Sequence, residues 1–343
     1  MSNQPPIEVP QGAIRFNTDS HKLEFFAQDR WYEMATDVTG ENLEGGQGRG
    51  LVMQGINPSK VDAVSFVDIT SGGGGSDFGD ATTDRRGPAG AGSRTRILSA
   101  GGNGPGTSST VRANIDFFTV ASTGDGTDFG DLSTGSRSAM CGMGNQTRAL
   151  FCGGYTPSVS DTIDAVTFAS TGSSFDFGNL TVGRWDPAAF SSPTRGVIAN
   201  GTAVSAGNSV SNVIDFVTIS SSGNASDFGD ATGLKQACPG CSNSIRGCWG
   251  GGYTPSSTKN IDTITIATTG NAVDFGDLTH SLTVGSAFGS PTRGVWAAGY
   301  AGGNTNIINY IAFATKGNAV DYGDLNRSTH RCTGASNSHG GLG

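Results

Sequence analysis

The residues of this chain that could carry chemistry recur at regular intervals. The tetrad Asp-Phe-Gly-Asp begins at Asp77, Asp128, Asp227 and Asp274, and close copies begin at Asp176 and Asp321. Paired carboxylates could bind Ca²⁺, and Asp-Phe-Gly is also a metal-binding motif of protein kinases. No kinase phosphate loop or catalytic-loop motif accompanies the repeated copies. A structural role is therefore favoured, in which the first Asp caps a turn, the Phe fills the interface between repeats and the second Asp accepts backbone N–H bonds.

A set of arginines follows the same repeat. They are Arg49, Arg96, Arg148, Arg195, Arg246 and Arg293. They could form a basic ring for an anionic ligand. A group that is repeated in every unit generally belongs to the scaffold, and the guanidinium fork fits a carboxylate. We therefore favour a ladder between units, in which these arginines pair with the repeated aspartates.

The spacing of the cysteines allows a metal or redox site, but their positions in the repeat favour a structural role. Cys238-Pro-Gly-Cys241, with Cys248 nearby, could bind zinc or act in redox chemistry. However, Cys241 and Cys248 fall at positions that are apolar in other repeats, which favours free thiols in the core. A disulfide between Cys141 and Cys152, across a hairpin, is an alternative.

No other motif points to catalysis. The four histidines do not recur in register, and the chain has no zinc-protease, nucleophile-elbow, phosphate-loop or dinucleotide-binding motif. The sequence predicts a protein that is not an enzyme, with no catalytic residue, no metal site and no cofactor.

The elements that position these residues follow from the repeat itself. The tetrads are spaced 51, 48, 51, 47 and 47 residues apart. The unit around Arg195 contains four β-prone segments, at about 187–191, 195–200, 213–220 and 225–230. A four-stranded unit of about 50 residues with a glycine-rich second strand is typical of a propeller blade. The sequence therefore predicts an all-β fold, a six-bladed kelch-like β-propeller.

The ends of the repeating part predict how the ring closes. The first copy begins with its second strand at Arg49, and a surplus first strand, about 330–338, follows the last tetrad. We expect this C-terminal strand to complete the blade that begins at Arg49, so that the ring has no open sheet edge.

Residues 1–44 lie outside the repeat. They read as a three-stranded β-meander, which is too small to stand alone and is expected to pack on a partner, a sister chain or the propeller. We predict two domains, an N-terminal docking or oligomerisation module at 1–44 and the propeller at 45–343. The glycine-rich segment 45–50 predicts a flexible joint between them.

Composition excludes several functions. The net charge is −8, and no cluster of Lys and Arg is present, so nucleic acid is not an expected partner. No apolar run approaches the roughly 18 residues that a membrane span needs. The N-terminus lacks the features of a signal peptide, which predicts synthesis in a host cytoplasm.

Loops between the second and third strands are the best candidates for binding. They are longer in two units, at 102–113 and 201–212, and loops of this class carry tyrosines that could stack on sugar rings. The candidate binding residues are Tyr155, Tyr253, Tyr300, Asn103, Thr107 and Asn208. Alternatively, each tyrosine only caps its blade.

Two stretches resemble bacteriophage structural proteins. The segment from Gly12 to Trp31, which begins Gly-Ala-Ile-Arg-Phe-Asn-Thr, resembles short modules of tail fibres and other virion proteins. The unit from Ile261 to Leu278 is similar to repeats in structural proteins of marine phages, cyanophages in particular. The resemblance implies a homotrimeric virion protein that is concerned with host attachment.

These observations together predict a tail-fibre or receptor-binding protein of a phage virion. Its N-terminal module would contact other virion proteins, and its propeller would bind a surface polysaccharide of the host. No nucleic acid and no membrane insertion are expected. The alternatives are an architectural baseplate or capsid-decoration protein, a glycan-degrading enzyme and a cellular kelch-like scaffold.

Overall fold

The computed structural model describes residues 10, 12–17, 22–27, 30–33, 48–105, 110–203 and 209–343. Their fold is all-β and antiparallel, as predicted. No helix among these residues is long and apolar enough to cross a membrane. The chain divides into two compact units, Met1–Glu44 and Gly45–Gly343.

The first unit contains a three-stranded sheet with two different faces. Its strands are β1 (Ile14–Asn17), β2 (Lys22–Ala27) and β3 (Arg30–Glu33), in that order. On one face, register pairs Ile14 with Phe25 and Phe16 with Leu23, and all four side chains are exposed. The other face is polar at its centre, where buried Glu24 accepts hydrogen bonds from the side chains of Arg15 and Asn17. The face that carries Ile14, Phe16, Leu23 and Phe25 is therefore exposed and apolar.

The second unit is a series of antiparallel sheets. Its strands are β4 (Arg49–Ile56), β5 (Lys60–Asp68), β6 (Ser76–Arg85), β7 (Ala89–Gly92), β8 (Arg96–Ala100), β9 (Asn114–Thr119), β10 (Thr127–Asp131), β11 (Cys141–Gly144), β12 (Arg148–Cys152), β13 (Tyr155–Thr156), β14 (Ser158–Val159), β15 (Thr162–Thr167), β16 (Phe175–Asn179), β17 (Arg184–Trp185), β18 (Ala188–Ser191), β19 (Arg195–Ala199), β20 (Thr202–Ala203), β21 (Ser209–Thr218), β22 (Ser226–Lys235), β23 (Gly240–Ser242), β24 (Arg246–Gly250), β25 (Asn260–Thr265), β26 (Val273–Asp277), β27 (Ser286–Gly289), β28 (Arg293–Tyr300), β29 (Asn304–Ala312), β30 (Val320–Thr329) and β31 (Thr333–Ser336). A short 3₁₀ helix, Gly340–Leu342, follows.

Apart from β13 and β14, which pair only with each other, these strands form four-stranded sheets in chain order, with two exceptions. The sheets are β7 to β10; β11, β12, β15 and β16; β23 to β26; and β27 to β30. The sheet of β18, β19, β21 and β22 is extended by β17 and β20. In the sheet of β4 to β6, the fourth strand is β31, which pairs with β4 from Thr333–Met53 to Ser336–Gly50. Just beyond it, the Asn337 N–H donates to the Arg49 carbonyl at 3.2 Å.

The repeated tetrad lies in the last strand of each sheet and packs that sheet on the next. Its aromatic ring is buried in the tetrads with Phe, as predicted; Phe177, for example, is 2% exposed. Its glycine approaches the neighbouring turn so closely that a Cβ on Gly178 (φ 149°) would lie 2.4 Å from the Gly223 carbonyl oxygen. The predicted role of the second Asp of the tetrad is not what three of the copies show. The backbone N–H of Asp80, Asp230 and Asp277 instead donates to a side chain of the following turn, that of Asp125, Asn271 and Asn318 respectively, each at 3.0 Å.

The first strands of the sheets contact one another in a cyclic order, β7, β11, β18, β23, β27, β31 and again β7. They are built from small residues because their backbones approach closely. A Cβ on Gly142 of β11 would lie 2.3 Å from the Gly90 carbonyl oxygen of β7. The glycine-rich composition of the chain thus partly reflects crowding where the first strands meet.

The segments that lead into the first strands are joined by a closed cycle of hydrogen bonds. Each contributes one residue whose N–H donates to the carbonyl of its counterpart in the preceding segment, at 2.7 to 3.0 Å. The six residues are Gly87, Ala139, Asp186, Ala237, Val284 and Arg331, and Gly87 donates to Arg331 to complete the cycle. We call this set the hydrogen-bonded ring.

The 3₁₀ helix lies at the opposite end of the first strands. Gly340 and Gly341 are buried against backbone carbonyls of Asn243 and Gly144. The His339 Nε2 atom lies 2.7 Å from the Gly92 carbonyl oxygen. The 3₁₀ helix therefore closes this end of the space between the first strands.

Candidate functional site

The hydrogen-bonded ring holds its residues in a strained conformation. All six have φ between 47° and 64°, in the left-handed region, although only one of them is glycine. Such a conformation costs a non-glycine residue roughly 1 kcal/mol. The cycle of hydrogen bonds compensates for this strain because each backbone N–H finds an acceptor within it.

Two charged members of the ring face each other. Asp186 and Arg331 are third and sixth in the order of bonding, so they are opposite, and Arg331 Nη1 lies 3.9 Å from Asp186 Oδ2. Burial raises the pKa of Asp186, and the charge of Arg331 opposes that rise. This ion pair spans the centre of the ring.

A small cavity lies beside this ion pair. Its volume is about 100 Å³. Its walls are residues of the ring and of the first strands, including Gly90, Gly142 and Cys238. The cavity is too small for a sugar, so an extended ligand would have to lie on the outer surface of the ring.

Aromatic residues flank both ends of the ion pair. Trp185 precedes Asp186, and its ring lies 6.2 Å from that of Tyr155. His330 precedes Arg331, and its ring lies 5.7 Å from that of Tyr300 in an edge-to-face arrangement. The surface around the ion pair therefore offers flat apolar faces next to hydrogen-bonding groups.

Backbone bridges fix these aromatic residues beside the ring. Tyr155 pairs with Ser138, and Tyr300 pairs with Thr283, each partner standing next to a ring residue. The equivalent bridge in the repeat before that of Tyr300 joins Tyr253 to Gln236. Because all of these bridges have the same form, the tyrosines occupy equivalent places around the ring.

The structure places the predicted binding residues as follows. Tyr155, Tyr253 and Tyr300 are 45%, 45% and 42% exposed. Asn103 is half-buried and takes the equivalent place next to the ring, where its backbone pairs with Arg86. Thr107 and Asn208 lie outside the described residues.

Sequence reasoning missed Trp185, Asp186 and Arg331. These residues lie in the segments between sheets, and the ring has a different residue type at nearly every position. No repeated pattern marked them. The available signal was the nearly constant distance from the start of each tetrad to its ring residue, which would have aligned Asp186 with Arg331.

The predicted ladder between the recurring arginines and the aspartates is wrong. Arg195 donates instead to the carbonyls of Ile266 and Ala267 in the following sheet, at 3.1 and 2.9 Å. Its guanidinium also lies 4.6 Å from the centre of the Phe216 ring. The other five recurring arginines, Arg49, Arg96, Arg148, Arg246 and Arg293, bond to carbonyls of a following sheet in the same way.

A different set of cations pairs with the aspartates of the third strands. The pairs are Arg85–Asp116, Arg137–Asp164, Arg184–Asp215 and Lys235–Asp262. Each cation follows a tetrad and reaches into the next sheet. All of these side chains are almost entirely buried, so they belong to the scaffold and cannot meet a ligand.

The cysteines are free and buried, as predicted. Cys141 and Cys152 occupy paired positions on β11 and β12 without a disulfide. Burial raises the pKa of Cys238 and of Cys248 to about 12. Within the described ranges, no group of His, Cys, Asp and Glu side chains could hold a metal ion.

No protein-family model matches the chain, and no curated protein matches it.

Proposed function

We propose that the chain is a phage virion structural protein of the tail-fibre or receptor-binding type, whose repeating part binds glycans of the host surface. The observation that carries this proposal is the group of half-exposed aromatic side chains around the Asp186–Arg331 pair. Aromatic faces pack against the C–H groups of sugar rings, and nearby polar groups bond to hydroxyls. The proposed role is binding and not catalysis.

We also propose that the repeating part is a closed six-bladed β-propeller. The cyclic contacts of the first strands, the hydrogen-bonded ring and the pairing of β31 with β4 support this arrangement. Arg293 adds a further link, because it donates to the carbonyls of Ile69 and Thr70, which follow β5. Closure would leave every first strand facing the same central space.

The N-terminal sheet would serve assembly. Its face with Ile14, Phe16, Leu23 and Phe25 is exposed and apolar, and packing this face against another surface would stabilise so small a sheet. We propose that it docks on other virion proteins or on further copies of this chain. A Phe16→Ser variant that keeps the sedimentation coefficient of the wild type and is still incorporated into particles would contradict this role.

Glycan binding is tested with polysaccharides extracted from a panel of bacterial surfaces. The full chain is immobilised, and binding is measured by biolayer interferometry for the wild type and for Tyr155→Ala and Trp185→Ala. Each substitution should weaken binding about tenfold, which corresponds to a loss of about 1.4 kcal/mol. Phe175→Ala is the matched control, because Phe175 is 41% exposed but packs beside Arg148, away from the ring.

Three outcomes decide between the proposals. A loss in the two ring-side variants but not in Phe175→Ala supports glycan binding. Equal affinities in all variants, or binding of no polysaccharide, contradict it and favour an architectural role. Cleavage of the polysaccharide by the wild type would contradict the proposal that the chain only binds.

A further inference from the structure

Two arginines beside the ring differ from all the others. The other arginines of the described ranges donate to a carbonyl, pair with a carboxylate or bond to a side-chain hydroxyl. Within the part of the chain that the structure describes, the guanidinium groups of Arg86 and Arg112 have no acceptor. Both are half-buried, so their stems are packed while their charged ends meet solvent.

The backbone brings these two arginines together with a lysine. Arg86 pairs with Asn103, one residue before Gly104. The Arg112 side chain crosses Gly104, where an added Cβ would lie 2.2 Å from Arg112 Nε. Lys60 Nζ donates to the carbonyl of the same Gly104. We call Lys60, Arg86 and Arg112 the basic cluster.

The basic cluster adjoins the candidate site. Arg86 precedes Gly87, whose N–H donates to the carbonyl of Arg331 at 2.7 Å. The cluster therefore borders the same surface as the aromatic residues.

Arg86 and Arg112 concentrate positive charge at one place. The charge of Asp84 acts on Lys60, and Asp186 faces Arg331. The pKa of Lys60 is lowered, first by burial and then by the charge of Arg86, with Asp84 opposing the fall. A concentration of positive charge is unusual in a chain whose net charge is −8, and an anion would relieve the repulsion within it.

We propose that the basic cluster binds the carboxylate of an acidic sugar, a uronic acid unit of a surface polysaccharide. This inference rests on the proposed glycan-binding function and narrows its ligand class. A guanidinium fork donates two parallel hydrogen bonds to a carboxylate, while the sugar ring extends toward the aromatic residues. Arg86 and Arg112 would bind the carboxylate of the uronic acid, and the aromatic residues beside the hydrogen-bonded ring would pack against its sugar ring.

The test compares two forms of one polymer, polygalacturonate and its fully methyl-esterified, uncharged form. Binding to the immobilised full chain is measured at one ionic strength. The wild type should bind polygalacturonate at least tenfold more tightly. The Arg86→Gln/Arg112→Gln variant should lose this preference while keeping the wild-type affinity for the ester, which also reports that the variant is folded.

A control variant carries the same change in net charge elsewhere. Lys259→Gln/Lys316→Gln removes two exposed cations and should keep the preference. The proposal is overturned if the wild type shows no preference, if the arginine variant retains it, if both variants lose it equally, or if neither polymer binds at millimolar concentration.

The two proposals fail in distinguishable ways. If Tyr155→Ala and Trp185→Ala bind both polymers like the wild type while the arginine variant loses the preference, the aromatic surface is not the glycan site, but the anion site stands. The aromatic variants could instead bind both polymers more weakly while the arginine variant binds both like the wild type. In that case glycan binding stands, and the proposal that the basic cluster selects acidic sugars is refuted.

Discussion

Replacing Arg184 by methionine tests whether the buried ion pairs hold the sheets together. Arg184 is completely buried, and it bonds to the Asp215 carboxylate and, at 2.8 Å, to the carbonyl of Val213. Methionine keeps most of the side-chain volume but removes the charge and these donors. In the variant, Asp215 would keep only its hydrogen bonds from Thr181.

The size of the effect follows from burial. Leaving one member of a buried ion pair without its partner costs about 3–5 kcal/mol. For a unit of this size, 1 kcal/mol shifts the thermal midpoint by about 2 °C. Arg184→Met should therefore lower the midpoint by about 6–10 °C, as measured by circular dichroism, with a matching fall in the urea midpoint.

A second substitution separates lost pairing from lost packing. In the Arg184→Met/Asp215→Leu variant both charges are gone, and apolar replacement of a whole buried pair is often nearly neutral. Most of the lost stability should therefore return. Arg195→Met is the matched control, because its half-buried guanidinium bonds to carbonyls of the next sheet, and we expect a loss of only about 1 kcal/mol.

Two results would refute this reasoning. The first is a midpoint for Arg184→Met no lower than that for Arg195→Met. The second is a double variant that is less stable than Arg184→Met alone, which would mean that Asp215 stabilises the fold without its partner.

Three further predictions concern the strands, the turns and the thiols. Ala335→Pro removes an N–H that faces β4 and should destabilise the repeating unit by about 3 kcal/mol; an unchanged urea midpoint would argue against the pairing of β31 with β4. Gly178→Ala should lower the free energy of unfolding by about 2 kcal/mol because the added Cβ would contact the Gly223 carbonyl oxygen. Gly172→Ala is the control and should lower it clearly less, because nothing lies within 4 Å of the added Cβ. Equal urea midpoints for the two variants would contradict the argument from close contact. Because burial raises the pKa of Cys238 to about 12 and of Cys332 to about 11, from 9.0, these thiols contribute stability below pH 9.0 that is lost as the pH rises through their folded-state pKa values. Their replacement by alanine should flatten the fall of the urea midpoint above pH 9.0, and an unchanged slope would show that other groups cause it.

The sheets could be predicted from the sequence because the packing of each tetrad residue restricts which residue types can occupy its position, and this keeps the repeat recognisable. Phe177 is buried between sheets and Gly178 approaches the next turn, so neither position tolerates much variation. Apolar β-prone segments at a constant distance from the tetrads then located the strands to within a few residues. The predicted segment 195–200, for example, corresponds to β19 (Arg195–Ala199).

The partners of the arginines could not be predicted in the same way. Arg184 and Arg195 have the same chemistry, and both lie between a tetrad and a third-strand aspartate. Only the fold decides that Arg184 is buried against Asp215 while Arg195 reaches carbonyls. The same limit applies to the ring, where backbone hydrogen bonds define the positions and leave the side chains free to differ, as Asp186 and Val284 do.

The pairing of β31 with β4 also has a consequence for synthesis on the ribosome. β4 is translated well before its partner strand, because β5 to β30 lie between them in the chain. Translation proceeds at about 5–20 residues per second, so the edge of β4 that pairs with β31 stays unpaired for roughly 15–60 s. β4 contains the apolar run Leu51, Val52 and Met53, and an unpaired apolar edge invites pairing with other chains. We therefore expect the nascent chain to be prone to aggregation until β31 is translated, and to be protected once β31 has left the ribosome and paired with β4.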